Sequence, residues 1–169
     1  TIKKLKLSLA ELLDLKAARR SFTPLDDDIC IVSFPKSGNT WTRFLIASYI
    51  KGTENVDFKS IEKLMPDIYQ NSDAALLRSP KPRILKSHEV FDPMYKKVIY
   101  IYRDPRDVLV SSYFFAKKMK SIGDNHSISN FTEKFIFTGL NDHGNWFENV
   151  NSWWSAKHSN IIFVCYEEL

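Results

Sequence analysis

Three short apolar runs constrain this chain more than any other feature. They are Ile29-Cys30-Ile31-Val32-Ser33-Phe34, Lys97-Val98-Ile99-Tyr100-Ile101-Tyr102 and Asn160 to Tyr166. Each is rich in β-branched and aromatic residues, and none shows the strict alternation of a half-exposed strand. Such runs fit strands buried on both faces, as in a parallel sheet. Helical spacing separates them. Trp41, Phe44, Leu45, Ser48 and Tyr49 follow the first run, and Gly52 stops the pattern. After the second run Asp104 can cap a helix whose first residue is Pro105 and which reaches about Lys120. Phe131 to Phe137 reads as helical, and a tryptophan-rich helix spans Asn145 to about Lys157. The order strand, helix, strand, helix, strand predicts an α/β fold. It is P-loop-like and three-layered, with a central parallel sheet flanked by helices.

The remaining segments are less regular. Leu5, Leu9, Leu12, Leu13 and Ala17 predict an amphipathic helix over 4–20. Thr23 to Asp28 is a loop. Short helical pieces fall at Ile61 to Met65 and Asp73 to Leu77, broken by Pro66, Pro80 and Pro82. Arg83-Ile84-Leu85-Lys86 reads as a short strand. The 169 residues suit one domain. With 44% apolar and 26% charged residues, disorder and coiled coil are excluded for the bulk of the chain. No run approaches the roughly 20 apolar residues of a membrane span. Glu11 and Asp14, with no small-residue cleavage site after them, argue against a leader peptide.

A balance of 24 basic against 20 acidic residues permits an anionic ligand. The basic residues are scattered, without the clustering of a nucleic-acid surface. Cys30 and Cys165 both sit in apolar runs, predicting two buried thiols in a reducing, cytoplasmic compartment. The chain stops directly after its third strand, so residues 1–169 are expected to be one domain that is incomplete at its C-terminus.

The chemistry concentrates where strands end. Pro35-Lys36-Ser37-Gly38-Asn39-Thr40-Trp41 joins the first strand to a helix. A helix entry offers free N–H groups and the positive end of the dipole, the usual setting for a phosphate. Gly38 lets backbone approach the ligand. Ser37, Asn39 and Thr40 add side-chain donors, Lys36 adds a mobile charge, and Trp41 a face for a base. This is not GxxxxGK[ST], because the lysine precedes the glycine. An ordinary helix cap with a stray lysine is the plain alternative.

At the second strand end stands Arg103, a guanidinium fork suited to phosphate, with Ser111 further along the following helix. Simple pairing of Arg103 with Asp107 is the alternative there. Lys86-Ser87-His88 lies at another strand end, and His88 is a candidate general base. His126, His143 and His158 read as structural. Trp146, Val150, Trp153 and Trp154 read as a core stripe.

Together these elements resemble the cytosolic-type sulfotransferases, which use 3′-phosphoadenosine 5′-phosphosulfate (PAPS). Phe34 to Trp41 is similar to the family's YPKSGTTW loop, with Asn39 for its first threonine. Lys86-Ser87-His88 is similar to its KSH segment, after which Glu89-Val90 departs from the common Leu-Pro. Tyr102 to Val108 with Ser111 is similar to its 3′-phosphate segment. Gly144 to Trp154 and Val164 to Leu169 match a later helix and the YEDL strand end. The RKGxxGDW segment and the dimerisation motif would lie beyond Leu169.

The resemblance implies sulfuryl transfer from PAPS to a hydroxyl or amine of a small molecule (an alcohol, phenol or amine), leaving PAP. His88, Lys36 and Lys86 would be catalytic. Lys36, Ser37, Gly38, Asn39, Thr40, Trp41, Arg103, Ser111 and Tyr166 would hold the nucleotide. It implies no metal, no nucleic acid, no membrane, and a homodimer through a segment not in this chain. A P-loop nucleotide kinase and a non-catalytic nucleotide-binding module are the competing readings.

Overall fold

Alternate residues of the first strand point into two different cores. Cys30 and Val32 pack with Leu85, Val98 and Tyr100 beneath Trp153, while Ile31 joins Ile101, Ala47, Ile61 and Met65 on the opposite face. The computed structural model describes residues 16–52, 55–139, 143–156 and 160–169. Its sheet has four strands: β1 (Ile29–Ser33), β2 (Ile84–Ser87), β3 (Lys97–Tyr102) and β4 (Ile161–Cys165). All pairings are parallel, in the order β2-β1-β3-β4. Helices α1 (Asn39–Lys51) and α2 (Phe58–Leu64) cover one face, and α6 (Trp146–Trp154) covers the other. The chain also forms α3 (Asp73–Leu77), α4 (Pro105–Lys118) and α5 (Ile128–Phe137). This is the expected three-layer α/β architecture.

Local chemistry sets most boundaries. Gly52, at φ +67°, ends α1. The Asp104 carboxylate accepts the Arg106 N–H at the start of α4, where Pro105 needs no partner. Asn145 and Glu148 form a capping box on α6. Helix α5 starts at Ile128, ahead of the expected Phe131, because Ser127 Oγ accepts the Asn130 N–H. At the entry to β1, buried Arg83 donates to Asp28 at 2.7 and 2.5 Å and to the Thr23 carbonyl at 2.8 Å.

Three expectations are corrected. Among the described residues strand β4 pairs only with β3, at the edge of their sheet, and Ile162 is 64% exposed. An apolar run cannot reveal which strand ends up outermost. Cys165, on that edge, is half-buried, unlike Cys30. The helix expected over 4–20 falls largely outside the described residues, and its described end carries only the 3₁₀ turn Arg19–Ser21. The tryptophan helix, expected to reach about Lys157, ends at Trp154 with Ser155 as its C-cap. Among the described residues no helix is long and apolar enough to cross a membrane.

The strand order matters for the site. From central β1 the chain goes to β2 on one side and then to β3 on the other. The crevice above the C-terminal ends of these strands is where open α/β sheets bind ligands.

Candidate functional site

A cleft of about 860 Å³ opens at that crevice. Lys36, Gly38, Asn39, Thr40 and Trp41 line it from the loop after β1 and the start of α1. Lys86 lines it from β2 and His88 from just after that strand, and Arg103 and Ser111 from the β3–α4 turn and α4. Pro35, Phe44, Leu45, Ser48 and Phe115 complete the wall. Ser37 and Tyr166 do not line it.

The loop is tightly specified. Gly38 adopts φ +103°, and a Cβ there would lie 2.2 Å from Tyr166 Cδ2. Lys36, not a glycine, takes φ +70°, a left-handed conformation that costs an ordinary residue about 1–2 kcal/mol. Strain held at a ligand-sized cleft is a mark of function. The first i→i−4 hydrogen bond of α1 runs from the Thr42 N–H to the Gly38 carbonyl at 3.0 Å. Earlier amides have no intrahelical carbonyl to serve and lie at the positive end of the dipole.

The polar side chains of the loop divide their work. Asn39 turns inward, and its Nδ2 donates to the Ile31 carbonyl (3.1 Å), Ser33 Oγ (3.3 Å) and the Ser87 carbonyl (3.5 Å). It therefore stitches the ends of β1 and β2 together. Ser37 Oγ, Asn39 Oδ1 and Arg103 Nε are buried with no hydrogen-bond partner among the described residues. Native interiors rarely leave such atoms unpaired, and of these residues Asn39 and Arg103 line the cleft. Lys36 Nζ lies 4.2 Å from the centre of the Phe115 ring. Burial lowers its pKa, helped by Lys118 and Arg103.

Arg103 is braced from several sides. Its guanidinium lies 4.3 Å over the Tyr166 ring, Nη1 donates to the Lys36 carbonyl at 3.3 Å, and Nη2 is 4.0 Å from Asp107. The pairing with Asp107 thus exists and does not remove Arg103 from the cleft.

His88 is held by its Nδ1, 2.7 Å from the Ser33 carbonyl oxygen. A carbonyl only accepts, so Nδ1 carries the proton and Nε2 is left with its lone pair. Burial, then the Lys86 charge, pushes its pKa down to about 3. The imidazole is therefore held neutral. Tyr69 stacks on it at 6.0 Å, with its hydroxyl donating to Glu89 at 2.7 Å. The His143 ring lies 5.6 Å away. Lys86 Nζ meets Asp67 Oδ2 at 2.5 Å.

Sequence reasoning missed Asp67, the packing of Tyr69 on His88 and the placement of His143. Nothing in their local spacing points to His88 or Lys86, because they arrive from other segments. His126 accepts from Tyr113 at its carbonyl, donates its N–H to the Gly123 carbonyl and sets its ring edge-on to Phe131, and His158 lies outside the described residues.

The family model described as the sulfotransferase domain matches residues 26–169. The chain belongs to the sulfotransferase family. Sulfotransferase 1E1 of Bos taurus is 34% identical, the match covering 88% of this chain and 55% of the relative. Amine sulfotransferase of Oryctolagus cuniculus is 29% identical, covering 94% and 56%. Mouse sulfotransferase SULT7A1, solved in complex with PAP, superposes with a TM-score of 0.72 at 28% identity, covering 92% and 57%. The chain thus spans little more than half the length of the curated relatives it matches.

Proposed function

We propose that this sulfotransferase-family chain moves a sulfuryl group from PAPS to a hydroxyl or amine of a small-molecule acceptor. The observation that carries the reading is the meeting of Lys36, Lys86, His88 and Arg103, from three strand ends, in one cleft. The cleft offers a volume of about 860 Å³, three cationic side chains and an exposed indole, Trp41. These features fit a phosphorylated nucleotide, and SULT7A1 was solved with PAP.

The roles follow from position. His88 Nε2 accepts the acceptor proton, its ring oriented by the Ser33 carbonyl. Lys36 and the loop amides stabilise charge growing on the departing phosphate oxygen, the stage at which a fixed donor lowers the barrier. Lys86 directs donors at the transferring group. Arg103 and Ser111 bind the 3′-phosphate, and Trp41 stacks on the base. Ser37, Asn39 and Tyr166 support the loop from behind. The kinase reading lacks the lysine that follows the second glycine in a Walker loop.

Calorimetry on the intact protein tests the reading, comparing PAP with ATP and Mg²⁺. Preference for PAP, with transfer from labelled PAPS in an acceptor screen, is the expected result. Preference for ATP with Mg²⁺ refutes it, and PAP binding without transfer to any acceptor leaves only a binding module.

A further inference from the structure

The side chain of Asp67 is 2% exposed. Residues 66–68 lie along the outer side of β2 like a fragment of a fifth strand. Lys86 N–H donates to the Pro66 carbonyl at 2.9 Å, and Ile68 N–H donates to the Lys86 carbonyl at 3.2 Å. That pairing sets Asp67 and Lys86 side by side. Asp67 Oδ1 accepts the Tyr69 N–H at 2.9 Å, and Oδ2 accepts Gln70 Nε2 at 3.1 Å as well as Lys86 Nζ. The Asp67 backbone N–H donates to Glu62 Oε1 at 2.7 Å. The carboxylate is rigid, while the lysine on its four-carbon stem is not.

From this geometry we infer that Asp67 is a positioning residue, which tethers the Lys86 ammonium at the cleft wall beside His88 and turns a mobile cation into an aimed donor. The inference rests on the sulfuryl-transfer reading. An ammonium has three N–H donors. One is spent on Asp67, leaving the others for the cleft that Lys86 lines. The pair has no net charge, so Lys36 and Arg103 supply the attraction for an anion. Lys86 contributes direction instead. Burial raises the Asp67 carboxyl, but the charge and hydrogen bond of Lys86 and the Tyr69 N–H outweigh it and hold it ionised.

The test is a double-mutant cycle on the intact protein with Asp67→Asn and Lys86→Met, reading kcat, the KM for PAPS and PAP affinity. The asparagine keeps the bond from the Tyr69 N–H. Alone, Asp67→Asn should lower kcat about tenfold, the scale of coupling between residues in contact, with PAP affinity changed less than about twofold. In the Lys86→Met background it should have no further effect on kcat. Amine acylation followed by mass spectrometry should label Lys86 faster in Asp67→Asn than in the wild type. Equal losses of kcat in both backgrounds, unchanged kcat, or unchanged labelling each overturn the proposal while wild-type transfer stands. No transfer by the wild type overturns the functional reading, and the positioning role with it.

Discussion

His88 Nδ1 lies 2.7 Å from the main-chain oxygen of Ser33, a bond that joins the residue after β2 to the end of β1. It fixes the tautomer and aims Nε2 away from the backbone. His88→Ala in the intact protein should therefore lower kcat by about 10²–10⁴, the range for losing a general base. PAP affinity, measured by calorimetry, should stay near the wild-type value. Near-normal turnover would remove His88 from the mechanism.

The low pKa of His88 has a consequence for stability. Its unfolded value is the ordinary one near 6.5, and its folded value is about 3. Between these the unfolded chain binds more protons, so stability falls as pH falls through this window and is fully present above it. Urea titrations from pH 7 to pH 4 should show a shallower loss in His88→Asn than in the wild type. An identical slope would mean that the native imidazole titrates normally.

Gly38 has two independent reasons to be glycine: its φ of +103° and the Tyr166 ring where a Cβ would sit. Gly38→Ala should weaken PAP binding by tenfold or more, from strain of about 1–2 kcal/mol plus displacement of the ring. Adding Tyr166→Ala should restore only part of this, because the backbone strain persists. Calorimetry on the three proteins decides, and full restoration would show that the ring alone matters.

Lys36 stands at the cleft over Phe115. If its contact strengthens as the phosphate oxygen departs, Lys36→Ala should lower kcat more than it raises the PAPS dissociation constant. Steady-state rates set against direct binding give the comparison. A loss confined to affinity would make Lys36 a binding residue only.

Arg83 and Asp28 form a wholly buried pair at the foot of β1. Removing one partner strands the other, so Arg83→Ala should cost about 3–5 kcal/mol in denaturant unfolding. A loss under 1 kcal/mol would show that water reaches the vacated site.

Much of the fold is legible locally. β1, α1, β3 and α4 follow from apolar runs, a stop glycine and a cap with its proline, all within a few residues of one another. The loop at Lys36 to Trp41 is legible for the same reason. Illegible were the exposure of β4, which depends on its having one neighbour, and the inward turn of Asn39, which needs carbonyls from two strands. The partners Asp67, Tyr69 and His143 come from segments far from His88 in sequence.

The chain's own residue order determines that strands end in Lys36, Lys86 with His88, and Arg103, because helix and strand formation depend on neighbours within a turn or two. Only the tertiary structure decides that these ends face one cleft and that Lys86 meets a carboxylate there. Strand order and register are set by burying two sheet faces at once, a condition on the whole chain that no single segment carries.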